Sequence, residues 1–475
     1  MMRSLFLTLL VIVAHFYACA QSQVKLSGKI QNPVSDSIEV SYNDNFIAYY
    51  PKAFYSVVDK KGNFSLSFPV PAGQYIQAEI KYGTHLAEVV LHSGDSLAVK
   101  ADNDHFDSTI HYTGRGSEIQ NYIALHTIQK GRMNQYSLKI KTDINKGPDD
   151  FLKAIEIEKK GELDFLDKNK KGLPASFIQY WTAYYQYYNY FFMDQYPQIH
   201  EMIRLKRYTD TIPEINYPVA EKVPYAFNDN FLQLPPYLLY LTGVFETHLK
   251  ARGYNYMGDT MKMRIFEDSV NTLAAQLLPD KSAEFFMAQN LYGKAKTQPI
   301  EKSKAELNLF KKRWPQSEDL PLIEKQVAFA QRLAPGQPAP DFDIITADGQ
   351  KIKLSDLRGK VVYLDFWASW CKQCVGEIIY EKKMKLLTKD KPLEFVYVSI
   401  DNDTAIEHAA IKKYHLDGLF TTVAGEWNAK ELQLYNVQSL PAYFLIDEDG
   451  NFAQQNAPSP MHSTELILNI GKLYK

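Results

Sequence analysis

One stretch of the sequence decides how the rest is interpreted, and it runs from residue 361 to residue 377 as VVYLDFWASWCKQCVGE. Its first six residues are apolar except for Asp365, and such a continuous run predicts a buried β-strand. A short aromatic turn follows, and a helix is predicted to open at Cys371. A Cys-x-x-Cys pair where a strand runs into a helix N-terminus is typical of a redox site.

The predicted helix start favours ionisation of the first thiol. The first backbone N–H groups of a helix lack partners and the helix dipole is positive there, so Cys371 is stabilised as a thiolate. Lys372 adds a nearby cation. Cys374 lies about one helical turn further on, close enough to attack a mixed disulfide at Cys371 and close a ring. We therefore expect Cys371 to be the exposed attacking thiolate and Cys374 to be the more buried resolving thiol.

The chain has 475 residues, a length that suggests about three domains. Its 45% hydrophobic and 23% charged residues are globular values, so long disordered stretches are not expected. The formal net charge of -2 offers neither a basic footprint for nucleic acid nor a polybasic membrane patch. We therefore predict a multidomain protein with no nucleic-acid partner.

Residues 1–20 are predicted to be an export signal. Arg3 supplies the positive charge, residues 5–13 form an apolar segment too short to span a bilayer, and small residues precede a cleavage site before Gln21. Cys19 leaves a second interpretation open, in which it is the lipid-bearing first residue of a lipoprotein. In either case the mature chain is expected in the periplasm or cell envelope, soluble or anchored by its lipid.

The sequence contains three cysteines, and Cys19 is either removed or lipidated. The two others are Cys371 and Cys374, so the exported chain has no structural disulfide framework. A structural zinc half-site would need two further ligands, and neither a third cysteine nor a nearby histidine accompanies the pair. We predict neither a metal site nor another cofactor.

The part of the chain before residue 334 divides by its periodicity. Apolar residues alternate with polar ones over residues 24–115, between turn signals, which predicts an antiparallel β-sandwich or barrel. Helical periodicity covers residues 116–333, where Ser117 and Gln120 form a predicted capping box. The aromatic run at residues 177–192 favours a helix packed on most of its sides over a platform for a ligand.

The proline-rich segment 334–340 marks a boundary and is expected to be extended and solvated. In the domain that follows it, residues 334–475, strands alternate with helices and a final hairpin and helix close the chain. This order predicts an α/β domain with a central mixed sheet and helices on both faces.

The order of elements in this domain, with WASWCKQC at 367–374 and SLPAYFLID at 439–447, resembles the thioredoxin fold. The phrase PGQPAPDF at 335–342 resembles the exported TlpA-like branch of membrane-associated thiol–disulfide oxidoreductases. This resemblance covers less than a third of the chain. Residues 24–115 in turn resemble the small β-domain of unknown function that is often found ahead of thioredoxin-like domains in secreted bacterial proteins.

The resemblance implies roles for residues besides the cysteines. Asp365 matches the buried acid that takes the proton of the resolving thiol, and Glu377 matches the acid that TlpA-like members carry after the second cysteine. A carboxyl in an apolar pocket has a raised pKa and can move protons near neutral pH. Pro441 matches the cis-proline beside the cysteines, which with Leu440 would pair with an extended substrate segment. Trp370 is expected to shape the substrate surface.

These features predict an exported thiol–disulfide oxidoreductase that reduces disulfides of substrate proteins and is re-reduced by a membrane-bound electron donor. The dipeptide at 372–373, Lys-Gln, departs from the Gly-Pro of thioredoxin and leaves the direction of electron flow open. Two alternatives remain. One is a thiol peroxidase of the peroxiredoxin group, which shares the fold. The other is an envelope binding protein in which residues 24–333 recognise a ligand and the redox domain is auxiliary.

Overall fold

The computed structural model describes residues 23–48, 51–205, 218–251, 260–345 and 349–474. The predicted export signal, including Cys19, lies outside these residues. The chain forms two compact units, Met1–Gln289 and Asn290–Lys475. The four-part division of the sequence stays a prediction.

The described part of the first unit begins with strands that form two four-stranded sheets. Their bounds are β1 Gln23–Gln31, β2 Ser37–Tyr42, β3 Lys52–Val57, β4 Asn63–Pro69, β5 Tyr75–Tyr82, β6 His85–His92, β7 Ser96–Asp102 and β8 His111–Arg115. The strand orders are β4-β1-β7-β8 and β3-β2-β5-β6. Every second side chain of most strands turns inward, and residues of both sheets share one apolar core that includes Val24, Tyr42 and Tyr82.

One strand pair differs from the predicted antiparallel arrangement. β1 and β7 pair in parallel, with Lys25 beside Ser96 and Gln31 beside Asp102. A hairpin can join only antiparallel neighbours, whereas a parallel pair needs a long connection. Strands β2 to β6 supply that connection, so the expectation of a wholly antiparallel domain is wrong at this position.

Helices make up the rest of the first unit. Their bounds are α1 Phe106–Thr109, α2 Ser117–Lys130, α3 Met133–Asp143, α4 Pro148–Asn169, α5 Ala175–Leu205, α6 Pro218–Glu221, α7 Pro235–Ala251, α8 Thr260–Leu277 and α9 Asp280–Lys294, within which the second unit begins. α5 carries the aromatic run, and its Trp181 is fully buried and stacks on Phe177 and Tyr184. The prediction of a helix packed on most of its sides is confirmed. No helix in the described ranges is both long and apolar enough to cross a membrane.

The predicted capping box at the start of α2 is wrong. The N-cap position is Gly116, which makes no side-chain cap. The fully buried amide of Gln120 instead accepts the Val90 N–H at 3.0 Å and donates to the Val90 carbonyl at 2.7 Å. The side chain that could have capped the helix therefore joins α2 to β6.

The second unit is built on a mixed sheet, as predicted. Its elements are α10 Ile300–Arg313, α11 Leu320–Arg332, β9 Asp343–Ile345, β10 Lys351–Lys353, β11 Val361–Trp367, α12 Lys372–Leu387, β12 Leu393–Ser399, α13 Thr404–Tyr414, β13 Leu419–Thr422, α14 Lys430–Leu434, β14 Ala442–Ile446, β15 Phe452–Gln454 and α15 Ser463–Gly471. The strand order among the described residues is β10-β9-β13-β12-β11-β14-β15. β11 runs parallel to β12 and antiparallel to β14, and all seven of its residues are buried.

The proline-rich segment before this sheet is exposed at residues 335–338, as expected of a solvated segment, but it is hydrogen-bonded to the final hairpin. Gly336 donates its N–H to the carbonyl of Phe452 at 2.8 Å, and the Phe452 N–H returns to the carbonyl of Gln337 at 2.8 Å. Ala339 also donates to Gly450 at 3.0 Å. The residues between the prolines keep their N–H groups, so the segment can pair with the final hairpin.

Candidate redox site

The two cysteines lie where β11 passes into α12. They form a disulfide with their Cα atoms 5.2 Å apart. Cys371 is the N-cap residue of α12, and its sulfur accepts the backbone N–H of Cys374 at 3.1 Å. A negative charge on this sulfur would therefore be stabilised by a hydrogen bond and by the helix dipole. Cys371 is 8% exposed and Cys374 is 3% exposed, so the expectation of an exposed Cys371 is wrong for the disulfide form.

The turn before the cysteines is anchored by an acid that the sequence interpretation missed. Asp401, which follows β12 and is buried, accepts the Ser369 N–H at 3.0 Å and the Ser369 hydroxyl at 2.8 Å. It also accepts the Ser399 hydroxyl at 2.9 Å. These bonds hold the residue two positions before Cys371 against the end of the neighbouring parallel strand.

Trp370 lies on the surface next to the disulfide. Its side chain is 57% exposed, and its ring centroid is 6.4 Å from that of Trp427, which is 45% exposed. A cavity of about 500 Å³ at the ends of β12 and β13 is lined in part by Asp401 and residues 422–425. An aromatic pair and a groove thus lie near the anchored turn, which suits contact with a polypeptide partner. Trp427 was not singled out from the sequence.

Pro441 lies at the same end of the sheet as the cysteines. The Leu440–Pro441 peptide bond is cis, which confirms the prediction. The register of β11 and β14 pairs Phe366 with Ala442, so Pro441 comes level with Trp367 where β11 leads toward Cys371. Leu440 and Pro441 are both partly exposed, so their backbone is within reach of an extended segment.

The loop before Pro441 is held by helices that precede the sheet in the chain. Lys296 donates its ammonium to the Asn436 carbonyl at 2.8 Å, and the Asn436 amide donates to Gln326 Oε1 at 2.9 Å. The Gln438 amide donates to the Tyr292 hydroxyl at 2.9 Å. Burial lowers the pKa of Lys296 to about 8. Residues from α9 to α11 therefore help to position the proline loop, which no local sequence signal predicted.

Beneath the disulfide the structure brings together buried carboxyls: Asp365 is 5% exposed, Glu377 is 3% exposed and Glu381 is 2% exposed. Glu377 Oε2 accepts the N–H of Met461 at 2.8 Å. Its burial shows that Glu377 does not lie on a solvated face of the helix. Burial first, and then the charges of Glu381 and Glu377, raise the pKa of Asp365 well above its ordinary value.

Glu381 was missed by the sequence interpretation. Its Oε2 accepts the Tyr397 hydroxyl at 2.8 Å, and burial raises its pKa. Cys374, Glu377 and Glu381 are spaced i, i+3, i+7, which places them on one face of a helix. That spacing was a usable signal, but residues 381–385, Glu-Lys-Lys-Met-Lys, have the composition of a solvated segment.

In the described ranges, no group of three or more His, Cys, Asp or Glu side chains is arranged to hold a metal ion. A strand that ends in a Cys-x-x-Cys helix cap, with a cis-proline alongside and buried acids below, defines the class of thioredoxin-fold redox proteins.

Comparisons with known proteins agree with this class. A family model described as Redoxin matches residues 334–465. The thiol-disulfide oxidoreductase ResA of Bacillus thuringiensis (strain Al Hakam) is 34% identical over 125 residues, which are 26% of this chain and 70% of ResA. ResA of Bacillus subtilis (strain 168) is 32% identical over 120 residues, which are 25% of this chain and 65% of that protein. A crystal structure of the thioredoxin domain of a thiol-disulfide oxidoreductase from Bacteroides vulgatus is 25% identical and covers 30% of this chain and 99% of its own, with a TM-score of 0.28.

The chain therefore belongs to the family of ResA-like thiol–disulfide oxidoreductases, and its C-terminal domain is the part that matches. It is an enzyme that exchanges thiols and disulfides.

Proposed function

We propose that this protein is an exported, TlpA-like thiol–disulfide oxidoreductase that reduces disulfides of substrate proteins. The Cys371 thiolate attacks a substrate sulfur, a mixed disulfide forms, and the first substrate thiolate leaves. Cys374 then attacks the Cys371 sulfur, the mixed disulfide breaks, and the second substrate thiolate leaves with the electron pair. The hydrogen bond from the Cys374 N–H to the Cys371 sulfur is the observation that carries this proposal.

The reducing direction is supported by the charges around the pair. A dithiol becomes strongly oxidising when its reduced, thiolate form is specially stabilised. Here Asp365, Glu377 and Glu381 are buried behind the cysteines, and a carboxylate charge there opposes a thiolate. A reduction potential near about -270 mV would agree with a reductant, whereas one near about -120 mV would contradict this direction.

We further propose the partners and location that the N-terminal sequence favours. An exported reductant needs a source of electrons on its own side of the membrane, so a membrane-bound electron donor would re-reduce the Cys371–Cys374 disulfide. The protein would act in the periplasm or cell envelope, either free after cleavage near Gln21 or anchored by a lipid at Cys19. Intact mass of the mature protein distinguishes these two forms.

Substrate trapping tests the proposed chemistry. In a full-length Cys374→Ser variant the mixed disulfide cannot be resolved, so substrate proteins should stay covalently bound to Cys371 in cell-envelope extracts. The adducts are measured on non-reducing gels and should disappear on addition of reductant. Cys371→Ser is the matched control and should trap nothing. Equal adducts in both variants, or none in either, would contradict the assignment of Cys371 as the attacking thiol.

A further inference from the structure

We propose that Glu381 is a positioning residue for the resolving step: it shares one proton with Asp365, and the two carboxyls together accept the proton of Cys374. The inference rests on the proposed function, since it concerns the attack of Cys374 on a mixed disulfide at Cys371. It adds a partner to the acid on β11 that neither the motif nor the linker phrase indicates.

The strand side of this arrangement surrounds Asp365 with tyrosines. Asp365 lies opposite Tyr443 on β14 and beside Tyr397 on β12. Side chains directly opposite one another on antiparallel strands project from the same face, with Cβ atoms about 5 Å apart. Asp365 Oδ1 is buried and has no hydrogen-bond partner among the described residues, and neither has the Tyr443 hydroxyl. An acceptor atom is thus left open in the interior of the domain.

The helix side joins this acid to the resolving thiol. Cys374, Glu377 and Glu381 lie on the buried face of α12. Asp365 lies on the strand that leads to Cys371, and its carboxyl lies within hydrogen-bonding reach of the Glu381 carboxyl. The same helix face therefore carries the resolving thiol near its start and the partner of Asp365 about two turns later.

Two carboxyls can share a hydrogen bond only if one of them holds a proton. Glu381 accepts the Tyr397 hydroxyl, and the neighbouring Lys385 favours its charged form. No comparable group favours the charged form of Asp365, because burial, Glu381 and Glu377 all raise its pKa. The proton therefore resides on Asp365 and the negative charge on Glu381.

The tyrosines that face the pair stay neutral, whereas Glu377 and Lys385 act on it through their charges. Burial raises the pKa of the Tyr363 hydroxyl on β11 and of the Tyr443 hydroxyl on β14 far above neutrality, and the pKa of Tyr397 on β12 is raised in the same way. Burial lowers the pKa of Lys385, one turn after Glu381. Burial raises the pKa of both Asp365 and Glu381, which moves the titration of this pair toward neutral pH.

The resolving step then runs as a relay. Cys374 gives its proton to Asp365 Oδ1 as the shared proton moves from Asp365 to Glu381. The Cys374 sulfur bonds to the Cys371 sulfur, the bond from Cys371 to the substrate sulfur breaks, and the electron pair leaves with the substrate thiolate, which is protonated by water. The substrate is reduced, the enzyme is oxidised, and Asp365 remains neutral before and after the step.

Single-turnover kinetics on the full chain can test the relay. Reduced protein is mixed with the chromogenic disulfide dithiobis(nitrobenzoate). Attack by Cys371 releases a first coloured thiolate, and attack by Cys374 on the mixed disulfide releases a second. In Glu381→Gln the neighbouring charge is lost and an amide donor faces Asp365. The acceptor is then Asp365 alone, which must itself be ionised, so the acid limb of the second release should move to higher pH by about one unit, and its rate at neutral pH should fall about tenfold.

Tyr397→Phe should give a smaller shift of the same sign. Loss of the hydroxyl that lowers the pKa of Glu381 should move the acid limb of the second release to higher pH. The matched control is Glu407→Gln on α13, a buried carboxyl on a different helix that accepts the hydroxyl of Thr422 on β13. This variant should leave the pH profile unchanged.

The outcomes separate the inference from the function on which it rests. If the first release fails in the wild type, the proposed function is wrong. If both releases occur but neither Glu381→Gln nor Tyr397→Phe moves the pH profile, the relay is overturned. If Glu381→Gln does not fold, judged by hydrogen exchange of β11, the shift in Tyr397→Phe decides.

Discussion

Two buried glutamates in this chain have almost the same exposure and opposite electrostatics. Glu162 in the first unit is 3% exposed, and its Oε2 lies 2.8 Å from His126 Nε2. Lys130 lies 3.5 Å from the other oxygen, Oε1, and the Tyr185 hydroxyl donates to Oε2 at 3.3 Å. Burial alone would raise the pKa of Glu162, but the bond and charge of His126 and then the charge of Lys130 lower it.

Glu381 in the second unit is buried equally deeply beside another acid. Its partners are the Tyr397 hydroxyl and protonated Asp365, and burial keeps its pKa raised. Burial thus does not by itself determine what a buried acid does. A carboxyl paired with a base is held in its charged form and stabilises the fold, whereas two paired carboxyls share a proton that can be exchanged.

The largest expected effect tests the compensated site. Glu162→Gln removes the charge that faces His126 and Lys130, so we expect the free energy of opening α4 to fall by about 3 kcal/mol. Hydrogen exchange of α4 measured by mass spectrometry checks this. The release of both coloured thiolates from dithiobis(nitrobenzoate) should be unchanged. Unaltered protection of α4 would show that the pair contributes nothing to stability.

Asp365, which faces no base, should respond in the opposite way: its replacement should slow the chemistry and stabilise the fold. Asp365→Asn keeps the shape of the side chain but cannot accept a proton, so we expect the second release of coloured thiolate to slow about 100-fold at neutral pH. The first release should keep its rate. Replacing a buried ionisable group with a neutral one of similar volume should also stabilise β11 against hydrogen exchange, by about 1–4 kcal/mol at most. A variant with a normal second release and a less protected β11 would contradict both expectations.

The smallest expected effect is a contrast in pH dependence. Because the pKa of Glu162 is lowered in the folded chain, this group stabilises the fold at pH values above its pKa in the unfolded chain. That contribution is lost as pH falls through the folded pKa. The raised pKa of Asp365 acts oppositely: its contribution is complete below the ordinary value of 3.8 and is lost as pH rises through the raised pKa. Acidification from about pH 7 to about pH 4 should therefore weaken protection of α4 and strengthen that of β11, by about 1 kcal/mol each.

Exchange rates corrected for their intrinsic pH dependence measure this contrast. The Glu162→Gln variant should flatten the response of α4 alone, and Asp365→Asn that of β11 alone. Parallel responses of the two elements in the wild-type chain would remove the electrostatic distinction between the two glutamates.

Local patterns predicted those parts of the fold whose signals are local. The apolar run at β11, the aromatic helix α5 and the mixed sheet of the second unit follow from periodicity and element order. Pairings between distant segments were less accessible. A short window of sequence does not predict the parallel pairing of β1 with β7 or the hydrogen bond of Gln120 with Val90. The alternation of apolar and polar residues does not reveal them either.

The residues of the site also differ in whether local sequence could predict them. The N-cap position of Cys371, the spacing of Cys374 and the cis-proline at 441 depend on a few neighbouring residues or on a recognisable phrase. No such local signal identifies Glu381 or Asp401. Each is a charged residue among other charged or polar ones, and its role depends on a strand that arrives from elsewhere in the chain.

The sequence by itself determined that a helix begins at a cysteine, that a second thiol follows one turn later and that a redox pair stands at this junction. Only the tertiary structure decided which acids lie behind that pair and what faces them. The reason is physical: desolvation and the charge of a neighbour set a carboxyl's pKa, and both depend on contacts between residues far apart in the chain. His126 and Glu162 are 36 positions apart, and Tyr397 and Glu381 are 16 apart, yet each contact helps to set the pKa of the glutamate in it.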